Sequence, residues 1–208
     1  MSKIGSIIIR QKECLTSSMD WAKEQLEAVS DGTVFLASRY CTARGSNGRV
    51  WCLYPGQLVI TFVLKPKIHL VNDVTGQLNY LNMSLTVGVA KALERYEATI
   101  KIKKPNDFII NNKKVGGILI ELVWCDSEMI GVVVGIAINC NNEFDVRDPL
   151  CEIATSLKCV VGTDIEIDSL QQDMLESMSR WYDCWQRHDF MPIAHEFQAF
   201  LGMTNRSF

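Results

Sequence analysis

The sequence predicts an α+β fold, with a mixed or antiparallel central β-sheet and helices packed on it. Three observations lead there. Apolar residues recur at helical spacing in three separate stretches. Several short β-branched runs follow one another between positions 99 and 139. The dipeptide Asn111-Asn112, followed by Lys113, marks a tight hairpin turn between two of those runs.

Each element follows from its residues. Residues 16–29 read as a helix: Ser17 or Ser18 can cap its start, and Met19, Ala22, Leu26 and Val29 share one face. Residues 33–38 read as a strand, 39–56 as a glycine-bearing loop and 58–64 as another strand. A long helix is expected over 76–96, with Leu78, Leu81, Leu85, Val89 and Leu93 at helical spacing. Short strands are expected at 99–102 and 108–110, then a hairpin into 115–123. The run 129–139 is apolar and β-branched, as a buried central strand would be. The remainder is mostly helical. Its stripe of Met174, Leu175, Met178, Trp181, Tyr182 and Trp185 reads as core rather than as a ligand site.

Composition narrows the class. The 208 residues suit one large domain, and 48% hydrophobic with 22% charged residues is the balance of a soluble globular protein. The eight cysteines form no C-x-x-C pair, and no histidine lies at metal-ligand spacing from them, so no zinc site is expected. Scattered free thiols suit a reducing cytoplasm. The run Ile7 to Ile9 is too short for a signal peptide. No stretch approaches the roughly 20 apolar residues of a membrane span, so a cytoplasmic protein without a membrane partner is expected.

Net charge is −3 but unevenly spread. Residues 1–142 carry 16 Lys+Arg against 12 Asp+Glu, and residues 143–208 carry 5 against 12. Lys101, Lys103, Lys104, Lys113 and Lys114 crowd around the single acid Asp107, a cluster able to hold phosphate. The overall negative charge argues against nucleic acid as a partner.

Four segments carry chemistry. Lys103-Lys104-Pro105-Asn106-Asp107 offers cations, an amide and a carboxylate just before a strand, and Asp107 is a candidate Mg²⁺ ligand. Lys114 precedes Gly116-Gly117, which let a ligand approach the backbone, while the lysine is a point charge for phosphate or carboxylate. The third segment is Gly135-Ile136-Ala137-Ile138-Asn139-Cys140-Asn141. The fourth is the loop Thr42-Ala43-Arg44-Gly45-Ser46-Asn47-Gly48-Arg49-Val50-Trp51, whose arginines could fold over an anion. Taken singly, each also reads as an ordinary turn, solvated hairpin or surface loop.

In order, these segments resemble the biotin protein ligase family. Its motifs run G-R-G-R-x-G-R-x-W, then K/R-W-P-N-D, then K-x-x-G-I/V-L-x-E, then G-I/V-G-x-N-x-N. Ser17-Ser18-Met19-Asp20 is similar to the family's S-T-N/M element, and Ala154-Thr155-Ser156-Leu157 to its A-T-S-L element. The resemblance implies a biotin/lipoate ligase fold like that of class II aminoacyl-tRNA synthetases. It implies ATP-dependent formation of biotinyl-5'-AMP, then transfer of biotin to a lysine of the biotin carboxyl carrier protein of acetyl-CoA carboxylase. Biotin, ATP and Mg²⁺ are the implied ligands. By the same resemblance, Lys114 is catalytic and bridges the biotin carboxylate and the α-phosphate. Ser17, Ser18, Met19, Tyr40, Arg44, Gly45, Ser46 and Gly117 line the biotin site. Arg49, Trp51, Lys103, Asn106, Asp107 and Asn139 serve ATP, with Asp107 also serving the metal.

The chain departs from the family pattern at named positions. Tyr40 falls where a Gln is usual, with Cys41 one residue on. Ala43 replaces a loop glycine, Ser46 a loop arginine, Lys104 the Trp, and Ala137 a strand glycine. A single catalytic domain is expected, without the family's N-terminal winged helix or C-terminal SH3-like domain. Two rivals are a lipoate ligase or octanoyltransferase of the same fold, and a non-catalytic biotin or adenylate binder. None of His69, His188 and His195 follows the Gly-Gly-Gly typical of the first rival. The apolar run 130–138 is compatible with a homodimer edge and equally with burial inside the sheet.

Overall fold

The computed structural model describes residues 3–11, 14–68, 73–96 and 99–201, apart from the side chains of 14–16, 40, 41 and 47. In chain order its elements are β1 (Ile8–Gln11), β2 (Cys14–Ser17), α1 (Ser18–Gln25), β3 (Val34–Ala37), β4 (Tyr40–Thr42), β5 (Gln57–Leu64), α2 (Val74–Leu93), β6 (Lys101–Lys103), β7 (Asp107–Ile110), β8 (Lys113–Cys125), β9 (Glu128–Asn139), α3 (Leu157–Val161), α4 (Ile167–Gln186) and α5 (Phe190–Phe200). Seven strands form one sheet in the order β1-β3-β5-β9-β8-β7-β6, and β2 pairs with β4 separately. Within the large sheet β1 runs parallel to β3, and the other neighbours are antiparallel. The mixed sheet expected from the sequence is therefore present.

Period-two alternation divides the residues of the two central strands between two faces. Leu58, Ile60, Phe62 and Leu64 of β5, with Val132, Val134, Ile136 and Ile138 of β9, join the main core under α2 and α4. Val63 and Val133 point the other way, toward Met19, Trp21, Ala22 and Leu26 of and just after α1. A strand covered on both faces reads as one continuous apolar run, which accounts for 129–139. Because β9 is hydrogen-bonded to β5 on one side and β8 on the other, the 130–138 run is no sheet edge; burial explains it. Helix α4 approaches α2 at Gly88, where a Cβ would lie 2.7 Å from the Met178 Cα.

Local chemistry sets the boundaries. Ser17 caps α1, its hydroxyl accepting from the Met19 amide at 3.3 Å, so the helix starts later than 16; it also tightens into a 3-10 turn at Leu26–Ala28 instead of running to 29. Asp73 caps α2 through the Gly76 amide at 2.9 Å, so that helix begins at Val74. Asn111 and Asn112 both adopt positive φ (50° and 63°), the left-handed pair of a two-residue hairpin turn between β7 and β8. Strand β1 was not foreseen: its four residues are mostly exposed, with no alternating apolar set to announce it. Among the described residues no helix is long and apolar enough to cross a membrane.

Candidate functional site

Helix α1 is only eight residues long and covers part of its sheet face. The uncovered part floors a cleft that includes Val59 and Thr61 of β5, Gly117 and Leu119 of β8, and Gly135 and Ala137 of β9. Met19 of α1 lies over Gly135, where a Cβ would come within 2.6 Å of its sulfur. Ser18 adds a polar wall, its Oγ 2.7 Å from the Thr61 Oγ1.

One end of the cleft is charged. Strand β8 starts with Lys114, whose ammonium lies 2.6 Å from the Asp107 Oδ1 on β7 and 5.2 Å from the centre of the Trp51 ring. The backbone of Lys114 is held firmly. Its amide donates to the Ile153 carbonyl at 2.8 Å, and its carbonyl accepts from the Thr155 amide at 2.9 Å. The Lys113 ammonium adds a bond to the Cys151 carbonyl at 2.7 Å. The segment resembling A-T-S-L thus splints the start of β8. Asn106 braces the same region through its side-chain amide to the Ile118 carbonyl.

The two glycines after Lys114 differ in role. A Cβ on Gly116 would lie 2.5 Å from the Ile138 Cδ1 and 2.7 Å from the Ala137 carbonyl oxygen, so that glycine serves close strand packing. A Cβ on Gly117 would meet nothing nearer than 3.4 Å and would point into the cleft.

The third wall is the loop. The Trp51 amide bonds to the Ala43 carbonyl at 3.1 Å and the Gly45 amide to the Arg49 carbonyl at 2.8 Å, making a small hairpin. Its tip is a 3-10 turn, Ser46–Gly48, with Gly48 at φ 72°. Arg44 does not stand as a free cation. Its Nη1 donates to the Asp20 Oδ2 at 2.8 Å and its Nη2 to the Glu121 Oε2 at 3.1 Å. The hydrogen bond to Asp20 comes first among the influences that raise its already high pKa.

Most of the residues singled out in the sequence converge here. Ser17, Ser18, Met19, Arg44, Gly45, Ser46, Trp51, Asn106, Asp107, Lys114 and Gly117 all line this cleft. Arg49, Lys103 and Asn139 are not among its lining residues. Arg49 and Lys103 are exposed. Asn139 is buried, and its amide is engaged within the protein, accepting from the Gln57 Nε2 at 2.8 Å and donating to the Thr155 carbonyl at 3.0 Å. The Tyr40 side chain lies outside the described residues. Sequence reasoning did not single out Val59, Thr61 and Leu119. Their signal was the unused face of strands whose other face is core. Among the described residues no group of three or more His, Cys, Asp or Glu could hold a metal ion alone. A single carboxylate beside cations suits instead an ion that arrives with substrate phosphates.

The geometry defines an α+β domain with an apolar-floored cleft, closed at one end by a lysine–aspartate pair and walled by a glycine-containing loop. The chain belongs to the biotin/lipoate A/B protein ligase family, whose model matches residues 8–139. It is similar to the bifunctional ligase/repressor BirA of Bacillus subtilis (strain 168), at 34% identity over 166 residues, covering 78% of this chain and 50% of that protein. It is also similar to the biotin--[acetyl-CoA-carboxylase] ligase of Paracoccus denitrificans, at 26% identity over 79% of this chain and 68% of that one. Among solved structures, the biotin protein ligase from Aquifex aeolicus in complex with biotin and ATP superposes with a TM-score of 0.80 at 28% identity, covering 94% of this chain and 78% of that one. The chain spans about half the length of the BirA relatives it matches.

Proposed function

We propose that this chain is a biotin protein ligase that activates biotin with ATP and passes it to a lysine of a biotin carboxyl carrier protein. The observation that carries the reading is the position of Lys114, at the charged end of a cleft whose floor is apolar. Biotin has a largely apolar body and one carboxylate, and it fits that polarity with the carboxylate toward Lys114. A carboxylate oxygen attacks the α-phosphorus of ATP, the bond to the β-phosphate breaks, and pyrophosphate leaves. The neutral amine of the carrier lysine then attacks the acyl carbon of the mixed anhydride. A C–N bond forms, AMP leaves, and the amine loses a proton.

Neither step needs a protein nucleophile; both need orientation and charge stabilisation. Lys114 supplies the cation, and the splint at 153–155 fixes where its backbone stands. Asp107 is the residue that would hold a Mg²⁺ ion arriving with the nucleotide phosphates, an ion that would offset phosphate charge there; Lys114, paired with Asp107 in the ligand-free cleft, would then turn to the substrate's anionic oxygens. A cytoplasmic site of action completes the reading, with acetyl-CoA carboxylase as the carrier's parent enzyme; the name of the Paracoccus denitrificans relative supports the second. Pyrophosphate release with ATP and biotin tests it, followed by transfer to a carrier domain. Release driven by lipoate and not by biotin would move the assignment to the other branch of the family.

A further inference from the structure

Arg44 stands at the base of the loop that walls the cleft, bridged across the hairpin to Val50. Two carboxylates from two different elements grip it. Asp20 on α1 receives a fork, Nη1 at 2.8 Å from Oδ2 and Nη2 at 2.7 Å from Oδ1. Glu121 on β8 receives Nη2 at 3.1 Å, and the same Glu121 oxygen takes the Lys23 Nζ at 2.7 Å. The four side chains are 26–38% exposed, so solvent screens them only in part. Two cations and two carboxylates make a neutral cluster, and a forked, shared arrangement is stronger than an isolated surface pair.

The anchors are not arbitrary surface points. Asp20 directly follows Met19, which lines the cleft, and Glu121 lies two residues beyond Leu119, which also lines it. We infer that Asp20 and Glu121 are positioning residues, which act through Arg44 to fasten the base of the loop against α1 and β8. The loop is then hinged by a clamp, and movement on ligand entry and exit is confined to residues 45–50. The Arg44 charge is balanced inside the protein, so this arginine shapes the wall instead of serving as counter-charge to a bound anion. What the cleft holds rests on the proposed function; the clamp does not.

Two readouts separate these claims. In the ligand-free protein, trypsin cleavage after the exposed Arg49 reports loop freedom. It should quicken on the order of tenfold in Asp20→Asn, because the amide keeps the shape but loses the charged fork. Asp20→Glu, which keeps the carboxylate, should restore slow cleavage. In the ligase reaction, Asp20→Asn should raise the KM for biotin far more than it lowers kcat, and preformed biotinyl-AMP should leave on the order of tenfold faster. If Asp20→Asn lowers the melting temperature, the same rates are read on Glu121→Gln, which keeps the Asp20 fork and every residue of α1 and loses only the β8 anchor and its pair with Lys23. Cleavage and release rates equal to wild type in both variants would overturn the clamp. If wild type forms no biotinyl-AMP, the ligase reading fails, and the trypsin comparison still decides the clamp.

Discussion

The Lys114 ammonium lies 2.6 Å from the Asp107 carboxylate, across two neighbouring strands, with the Trp51 ring on another side. A pre-formed ion pair fixes the lysine where phosphate charge would develop, without leaving it uncompensated before substrate binds. Lys114→Ala should therefore slow biotinyl-AMP formation by about 10²–10³, or ~3–4 kcal/mol of transition-state stabilisation. Single-turnover pyrophosphate release measures this. A normal rate in Lys114→Ala would remove the lysine from the mechanism.

Asp107 answers to a different measurement. It is the one carboxylate among the described lining residues of the cleft. Calorimetry on Asp107→Asn should show weakened Mg-ATP binding and nearly unchanged biotin binding. Loss of biotin affinity alone would mean that the carboxylate matters only as the partner that orients Lys114.

The adjacent glycines give a paired test of fold against site. Gly116→Ala places a methyl 2.7 Å from the Ala137 carbonyl oxygen, and backbone cannot yield as a flexible side chain does. The β8–β9 pairing should be strained by about 1–3 kcal/mol, visible as a lower Tm. Gly117→Ala meets only contacts of 3.4 Å or more and should melt like wild type while binding biotin more weakly. A stable Gly116→Ala beside an unfolded Gly117→Ala would reverse these roles.

That contrast shows where sequence reasoning reaches and where it stops. The long helix at 76–96 and the strand at 129–139 were legible because burial writes a period into the residues. The Asn111-Asn112 turn was legible because few residues tolerate positive φ at both positions. β1 carries no such signal, since a short exposed edge strand demands little of its side chains. Within the site, Lys114 and Gly117 stand out beside one another in the chain. The Asp20–Arg44–Glu121 cluster joins positions 24 and 77 residues apart, and no local pattern predicts that meeting. The Asn139 motif points to a nucleotide contact; what no local pattern shows is that its side chain also bonds to Gln57 and Thr155 and ties β9 to the splint behind Lys114.

Thiol chemistry supplies a test of the core. Burial pushes the Cys140 thiol up to about 12, because a thiolate there would lose its water. Cys52, Cys125 and Cys159 are exposed. Alkylation of the native protein at pH 8, mapped by mass spectrometry, should mark those three and spare Cys140 until the chain unfolds. The sign follows from the direction of the shift: with its pKa raised, Cys140 stays neutral and unreactive across the working range. Equal labelling of Cys140 and Cys159 in the folded protein would show that this core opens.

Ser46 offers the last test, at the point where the loop departs from its family pattern. Its residue lines the cleft at the start of the 3-10 turn, where the family pattern has an arginine. Of the loop's two remaining arginines, Arg44 is neutralised by Asp20 and Glu121, and Arg49 is exposed and not among the lining residues. The loop's lining residues therefore bring no uncompensated cation to a bound adenylate. A serine hydroxyl cannot replace the forked, charged contact of a guanidinium. Closure over the mixed anhydride should be correspondingly weak, and closure is what keeps water from it. Biotinyl-AMP should escape or hydrolyse faster here than from a relative with the full set of loop arginines. Ser46→Arg should slow that loss, by about tenfold if one charge-assisted contact forms. The Arg44 clamp holds the base of the loop in both proteins, so the difference isolates the tip. The measurement is the dissociation rate of preformed biotinyl-AMP from wild type and from Ser46→Arg. Rates that are equal and slow in both would mean that retention does not depend on a cation at this position.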